Sequence, residues 1–370
     1  MFTGGGTAGH VFPIIAVVRE LNRMGVKAEY IYIGPKDDFG SMLLSQEGVK
    51  VKIISSGKIR RYLNWRSALY NSFDILFKIP FGFAQSFFYI LLHSPNVIFS
   101  KGGYGSLAPI FCGWILRRPI ILHESDVAPG LANKILSRFT KQILVSFPVP
   151  YTEYFSAAKM ISVGNPIRRE LLEGSKEGAA RIFELSGEKP LILIIGGSQG
   201  AQFINNLILN ILPQMIENFE IIHQTGEKKY AEIKAEARVI IAKEMDRYYH
   251  PVSFLREIEL REAYTAADLI ISRGGSGSIF EIAAVGKASI LIPLANSAQD
   301  HQVKNSYTYA DRGAAIVMEE ANIAPHFLLE KMKNLFARPE DLERMSQNAH
   351  KFAKPDSAKL VAEYILNYLK

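Results

Sequence analysis

Gly4-Gly5-Gly6-Thr7-Ala8-Gly9-His10 follows directly on Met1-Phe2-Thr3, and Gly196-Gly197-Ser198-Gln199-Gly200-Ala201 echoes it 192 residues later. Each stretch lies between an apolar run and an amphipathic one. That is where a parallel strand turns into a helix and bare backbone N–H groups face an anion. Two such turns predict two similar α/β domains facing one cleft. The three residues before the first turn are fewer than the about five of an ordinary strand, so the spacing predicts a clipped first strand and a shortened start.

Working outward, apolar and β-rich runs recur at 28–34, 51–55, 96–100, 119–123 and 142–147, with room for a crossover helix between them. This is the pattern of a parallel sheet covered on both faces. Val163-Gly164-Asn165-Pro166 reads as a hinge, after which the alternation restarts with strands expected at 191–195, 219–223, 238–242, 269–272, 289–293 and 314–318. Helices are expected at 201–216, 278–285, 302–311 and 327–336, and a last one from Lys354-Pro355-Asp356-Ser357 to Tyr368. The domain reading is 1–163 plus 355–370, then 164–354.

Composition agrees with two ordinary cores: 370 residues, 48% apolar and 21% charged. The single cysteine, Cys112, excludes an intrachain disulfide framework and a thiolate zinc cluster, and fits a reducing cytoplasm. No basic and apolar leader precedes the first turn, so export is not expected.

The net charge of +7 suits nucleic acid, an anionic membrane or a phosphorylated ligand, and its distribution decides among them. Between Lys58 and Leu92 lie five basic residues (Lys58, Arg60, Arg61, Arg66, Lys78), one acid (Asp74) and ten of the chain's 40 aromatics, including Tyr62, Trp65, Phe73, Phe77, Phe81, Phe87 and Phe88. Apolar side chains with flanking cations suit a segment lying in a membrane interface; the alternative is a long helix packing its aromatics into the first domain. Pro80, Gly82, Gln85 and Ser86 interrupt its cleanest run, short of the roughly 20 apolar residues of a span. No nucleic-acid-binding module accompanies the basic patch, so no nucleic acid is expected.

Gly4, Gly6 and Gly9 satisfy G-x-G-x-x-G, which also occurs in dinucleotide enzymes. Such sites place an acid at the end of the second strand, whereas here the strand ends Ile-Gly-Pro and Asp37 and Asp38 fall in the loop. NAD is therefore disfavoured. His10 starts the following helix, where the dipole tends to hold an imidazole neutral and able to accept a proton; the alternative is a capping or packing histidine. Ser272-Arg273-Gly274-Gly275-Ser276-Gly277-Ser278 is another strand running into a glycine-rich helix start. Glu281, about one turn in, is poised for a ribose diol or serves only as a solvated helix acid. Gln299-Asp300-His301-Gln302 follows a strand end, where ligands gather in open α/β sheets.

With Gly4 to Pro13, Lys101-Gly102-Gly103-Tyr104, His123-Glu124-Ser125-Asp126, Gly164-Asn165-Pro166-Ile167-Arg168, Gly196 to Ala201, Glu281-Ile282-Ala283-Ala284 and Asp300-His301-Gln302 in this order, nearly the whole chain resembles the MurG family. These are UDP-N-acetylglucosamine transferases that convert lipid I to lipid II in bacterial peptidoglycan synthesis. The resemblance implies a GT-B fold: two Rossmann-like domains, parallel sheets facing a central cleft, and a last helix returning to the first domain. It implies a peripheral protein on the cytoplasmic face of the cell membrane, with partners in the wall-synthesis machinery.

By motif matching, the resemblance puts the nucleotide in the second domain: Arg168 and the Leu255 backbone near uracil, Ser198 and Gln199 near the diphosphate, Glu281 on ribose, and His301 and Gln302 toward N-acetylglucosamine. Gly4, Gly5, Gly6, Gly196, Gly197, Gly275 and Ser276 form phosphate loops. Thr7, His10 and Tyr104 line the reaction centre, where lipid I enters, and Thr7, Gly9 and Asp126 also contact the UDP-N-acetylglucosamine donor. Two departures stand out: Ala8 replaces a family glycine, and His123-Glu124-Ser125-Asp126 stands where many relatives carry H-E-Q-N, putting a carboxylate at Asp126 in place of an amide.

The implied reaction is inverting transfer, in which the muramyl 4-hydroxyl attacks the anomeric carbon with His10 as general base and N–H groups around Ser198 and Ser276 steady the departing UDP. The chain has no D-x-D pairing, so neither a catalytic metal nor any cofactor beyond the donor is expected. Other readings are a UDP-sugar epimerase or different glycolipid transferase on the same fold, and a non-catalytic UDP-sugar-binding membrane adaptor.

Overall fold

The computed structural model describes residues 1–5, 8–57, 72, 74–148, 154–197, 201–295 and 297–369. The chain divides into two compact units, Met1–Arg168 with Pro355–Lys370, and Arg169–Lys354.

The first unit alternates strand and helix: β1 (Phe2–Thr3), α1 (Ala8–Arg23), β2 (Ile31–Gly34), α2 (Asp38–Gln46), β3 (Lys50–Ile53), α3 (Ile79–His93), β4 (Ile98–Ser100), α4 (Leu107–Ile115), β5 (Ile120–Glu124), α5 (Leu131–Leu136), β6 (Gln142–Val145) and β7 (Met160–Ser162). The strands form one sheet in the order β3-β2-β1-β4-β5-β6-β7. Every pairing is parallel; Phe2 of the two-residue β1 lies opposite Tyr32 on one side and Phe99 on the other. Parallel strands buried on both faces need near-continuous apolar runs, and Ile120, Ile121 and Leu122 are each at most 2% exposed. Val11, Ile14, Ile15 and Val18 of α1 pack into this core. Asp37, displaced from a ribose-binding position, is the N-cap of α2, accepting from the Gly40 N–H at 3.1 Å.

The second unit repeats the plan: α6 (Lys176–Phe183), β8 (Leu191–Ile195), α7 (Gln202–Leu209), α8 (Leu212–Asn218), β9 (Glu220–Gln224), α9 (Tyr230–Ile240), β10 (Tyr249–Val252), α10 (Glu257–Ala266), β11 (Leu269–Ser272), α11 (Ser276–Ala284), β12 (Ser289–Leu291), α12 (His301–Ala310), β13 (Ala315–Val317), α13 (Pro325–Phe336) and α14 (Pro339–Phe352). Its parallel sheet runs β10-β9-β8-β11-β12-β13. The final helix α15 (Ser357–Leu366) belongs to the first unit, where Val361, Ala362 and Ile365 join the α1 core.

Several sequence expectations need correction. The strand expected at 238–242 is the end of α9: Ile233 and Ala237 are buried one turn apart while Val239 is 85% exposed. A strand would put alternate residues on one face; the strong helix formers of Tyr230-Ala-Glu-Ile-Lys-Ala-Glu carry the β-branched tail along. The neighbouring strand is β10 instead. The single helix expected at 201–216 is two, because Pro213 cannot donate to the preceding turn and its ring clashes with the carbonyl four residues back. The last helix begins at Ser357 and ends at Leu366, inside the expected span. The chain passes between units after Arg168 rather than Val163, since Asn165, Ile167 and Arg168 are buried within the first unit.

Candidate active site

In an open parallel sheet the strand order reverses at one point, and loops leaving the two strands there diverge to opposite faces and open a crevice. In the first unit that point lies between β1 and β4, in the second between β8 and β11. Gly4-Gly5 leaves β1 and Lys101-Gly102-Gly103 leaves β4; Gly196-Gly197 leaves β8 and Arg273-Gly274-Gly275 leaves β11. Both glycine turns read from the sequence therefore stand at switch points. Thr7, Gly6, Ser198 and Gln199 lie outside the described residues, as do Arg60, Arg61, Trp65 and Phe73.

In the first unit His10, on the first turn of α1 with Gly9, lies against bare backbone. A Cβ on Gly5 would come 3.1 Å from His10 Cε1, and one on Gly103 would come 3.2 Å from His10 Nε2. Gly103 also has φ of 82°, open to glycine at little cost. Burial lowers the His10 pKa to about 4, with the Lys101 cation adding to that effect and Asp126 opposing it. At neutral pH the ring is therefore uncharged and carries a lone pair. Tyr104 follows Gly103; burial, then nearby Asp37, raises its hydroxyl pKa.

A buried polar cluster adjoins His10. The Asp126 N–H donates to Glu124 Oε1 at 2.9 Å, and Asn133 Nδ2 to Glu124 Oε2 at 2.7 Å. Burial, then the Asp126 carboxylate, pushes the Glu124 pKa up to about 7. Arg168, expected beside uracil, belongs to the first unit with its guanidinium 4.1 Å above the Phe12 ring.

In the second unit, α11 starts at Ser276, capped by Gly275, so its N-terminal dipole ends at the switch point. Glu281 accepts from the Tyr264 hydroxyl at 3.0 Å, which fixes one carboxylate oxygen. The Leu255 N–H is engaged by Gln224 Oε1 at 3.2 Å, and Gln224 Nε2 donates to the Gly197 carbonyl at 2.9 Å. One amide thus ties the turn after β8 to the segment after β10. Before α12, Gln299 and Asp300 both adopt left-handed backbone, φ 57° and 54°, strain of the kind stored at ligand-binding turns. Gln302 Oε1 accepts from the Leu294 N–H at 2.9 Å and its own N–H donates to Ser297 Oγ, so Gln302 folds the loop that carries His301.

Lys101, Gln224 and Tyr264 were not singled out as site residues from sequence. Gln224 and Tyr264 carry no local motif. Lys101 sits inside a quoted motif, and its burial is visible only once β4 is central in the sheet.

Around α3, Phe77, Phe81 and Phe88 are each about 60% exposed and Phe87, Leu91 and Leu92 are exposed too, whereas Gly82, Ser86 and Ile90 face inward. A Cβ on Gly82 would meet the Ser55 carbonyl oxygen at 1.9 Å, so the helix seats directly on backbone there. Asp74–His93, expected from sequence to fall short of a span, is long and apolar enough to cross a membrane by length and composition alone, with a mean hydropathy of 1.6 over 18 of its residues. Lys78 pairs with buried Asp74 at 2.7 Å.

Two doubly wound parallel sheets, each with a glycine turn at its switch point, define a two-unit α/β protein of the GT-B class. A model of the glycosyltransferase family 28 N-terminal domain matches residues 1–145, and one of the family's C-terminal domain matches 191–361. The chain is 34% identical to the UDP-N-acetylglucosamine–N-acetylmuramyl-(pentapeptide) pyrophosphoryl-undecaprenol N-acetylglucosamine transferase of Clostridium kluyveri, over 98% of this chain and 99% of that one. It is 36% identical to the protein of the same name from Shouchella clausii, over 91% and 90%. The crystal structure of Acinetobacter baumannii MurG superposes with a TM-score of 0.74 at 24% identity, covering 99% of each chain. The Neisseria meningitidis UDP-GlcNAc 2-epimerase bound to UDP-GlcNAc gives 0.66 at 12% identity, also over 99% of each, a likeness of fold alone. The chain belongs to glycosyltransferase family 28 and, within it, to the MurG family.

Proposed function

We infer that the chain transfers N-acetylglucosamine from UDP-N-acetylglucosamine to the 4-hydroxyl of the muramyl sugar in lipid I, giving lipid II for peptidoglycan. The observation that carries this is identity of 34% over 98% of the chain to a transferase named for that donor and acceptor. In this reading His10 takes the proton of the attacking hydroxyl. An imidazole that stays neutral down to about pH 4 is in the protonation state of a base at physiological pH, at some cost in basicity. Tyr104 and Thr7 line the reaction centre, and Thr7, Gly9 and Asp126 contact the donor. In the second unit, the start of α11 and the Gly196-Gly197 turn steady charge on the departing diphosphate, Glu281 holds the ribose diol, and His301 and Gln302 address the sugar. The Leu255 backbone addresses uracil, with its N–H held by Gln224 Oε1. No metal is given a role, and UDP-GlcNAc is the donor substrate rather than a cofactor.

The outward apolar face of α3 and its preceding turn supports a peripheral seat on the cytoplasmic membrane surface, where lipid I is reached, with anionic headgroups meeting the basic residues that precede it in sequence. Partners in the wall-synthesis machinery would be met on the same membrane.

Transfer of labelled N-acetylglucosamine to a soluble lipid I analogue, in buffer containing EDTA, tests the reading. Lipid-linked product and UDP in equal amounts are expected. UDP released without product would point to hydrolysis or another acceptor, UDP-GlcNAc consumed without lipid I to an epimerase, and donor binding without turnover to an adaptor.

A further inference from the structure

Lys101 follows β4 directly and is 2% exposed. Its Nζ donates to Ser125 Oγ at 2.6 Å, to His123 Nδ1 at 2.7 Å and to Asn165 Oδ1 at 3.1 Å. The acceptors come from the end of β5, the turn after it, and the loop after β7. His123 Nε2 lies 2.9 Å from the Gly164 carbonyl, which can only accept, so Nε2 carries the ring proton and Nδ1 is the acceptor facing Lys101. Three acceptors match the three N–H groups of an ammonium; a neutral amine would have only two.

The charged and titratable groups facing Lys101 are His10 from α1, His123 and Glu124 from β5, and Asp126 from the following turn. Burial lowers the Lys101 pKa to about 7 against the pull of Glu124 and Asp126, and it also holds the His123 pKa well below its ordinary value. A cation is expensive to bury, and an apolar side chain of similar volume would hold three loops together at lower cost. The expense falls at the switch point, where a Cβ on Gly4 would come 3.2 Å from His10 Cβ and 3.6 Å from Lys101 Cβ, and where Gly5 and Gly103 also clear space for the imidazole.

We propose that Lys101 is a positioning residue for the transfer reaction: its buried ammonium locks the β5 turn and the Gly164-Asn165 loop together and supplies the positive charge that offsets Asp126 and Glu124 beside His10. Without it, the two carboxylates beside the imidazole lose the charge of Lys101. The proposal rests on the transferase reading and deepens it.

The experiment follows the His10 ring by NMR titration, assigned with His10→Gln, in full-length wild type, Lys101→Met and Lys101→Met/Asp126→Asn. Steady-state transfer is measured alongside. In Lys101→Met the His10 pKa should rise by about one unit, the free energy of one partly screened charge contact. The turnover number kcat should fall at least about 10-fold, because the β5 turn and the Gly164-Asn165 loop lose the ammonium that holds them, whereas a higher pKa alone would make His10 the stronger base; KM for UDP-GlcNAc should stay within about 2-fold. The double variant should bring the His10 titration back near that of wild type. A folded Lys101→Met with unchanged His10 titration would overturn the proposal. So would failure of both Lys101→Met and Lys101→Gln to fold by circular dichroism, which would make Lys101 a structural cation only. A shifted titration with no transfer by wild type would count against the transferase reading and not against the charge placement.

Discussion

His10 and Glu281 are the two side chains on which the proposed chemistry turns, and each is set by a neighbour that sequence did not advertise. For His10 the neighbours are bare glycine backbone and a buried cation, and the consequence is a pKa lowered to about 4. A base of that pKa is deprotonated above it, so the limb of kcat/KM that belongs to His10 should fall only below about pH 5. His10→Ala should lower kcat by roughly 10²–10⁴-fold, the usual worth of a general base, and abolish that acid limb in what remains. An acid limb near 6.5 that survives in His10→Ala would belong to another group, such as Glu124, whose pKa burial pushes up to about 7. For Glu281 the neighbour is Tyr264, whose hydroxyl holds one carboxylate oxygen. Tyr264→Phe should raise KM for UDP-GlcNAc about 5-fold, the value of one hydrogen bond of about 1 kcal/mol, with kcat nearly unchanged. At this scale the histidine and the glutamate were legible because helix starts after glycine turns have known chemistry. Lys101, Tyr264 and Gln224 were not, because what matters about them is which distant segments they touch.

Elements were legible where one signal dominated. β8 and β11 match their expected ranges because both are unbroken apolar runs in the middle of a parallel sheet. β7 and β10 escaped notice because they are short edge strands, and α9 was misread at its end because its β-branched residues obey a helix begun ten residues earlier. The aromatic richness of 58–92 was plain, but which face of α3 points outward followed only from Gly82, Ser86 and Ile90 packing inward. Replacing Phe81, Phe87 and Phe88 by Ser touches exposed rings, so the fold should survive. Each ring inserted to part of its depth contributes a fraction of the roughly 1.5–3 kcal/mol of full burial, so liposome affinity should drop on the order of 100-fold. UDP affinity should not change; sedimentation with anionic vesicles checks the first and calorimetry the second. Within the second sheet, His223 joins three elements: its Nδ1 accepts from the Tyr249 hydroxyl at 2.8 Å and its Nε2 donates to Asn205 Oδ1 at 3.1 Å. Burial lowers its pKa to about 3, from an unfolded value near 6.5. Between those values the unfolded chain binds the proton and the folded chain does not, so stability is intact above pH 6.5 and lost as pH falls toward 3. The slope for this group is about 1.4 kcal/mol per pH unit, and His223→Leu should flatten the acid side of the stability curve by that amount while costing stability at neutral pH. Urea melts at pH 7, 6 and 5 measure both.

The whole molecule is one plan built twice, and the duplication extends to the switch points. The first residue after β4 is Lys101 and the first after β11 is Arg273, both buried cations, 2% and 8% exposed. Each is held by its own unit: Lys101 by the loops after β5 and β7, and Arg273 by Glu320 at 2.6 Å and the Ile292 carbonyl at 3.0 Å. The two units differ in how the chain completes them. Arg169–Lys354 is continuous and carries its own core, whereas the first unit is finished by a segment almost two hundred residues beyond its main body. There Ser357 Oγ donates to the Asn165 carbonyl at 2.6 Å, and Val361, Ala362 and Ile365 are buried against α1. Deleting 355–370 exposes the cavity that Val361 and Ile365 fill, roughly 1.5–3 kcal/mol each, and strips the partner from a buried carbonyl, about 1 kcal/mol more. A loss of at least about 4 kcal/mol is a large share of the 5–15 kcal/mol that holds a domain folded. The deletion should therefore unfold the first unit at a lower temperature and leave the second melting where it did before. Differential scanning calorimetry should show two transitions, only the lower one displaced, with UDP-GlcNAc still raising the upper one. A uniform shift of both transitions would mean that the last helix serves the entire chain rather than the unit whose core it completes.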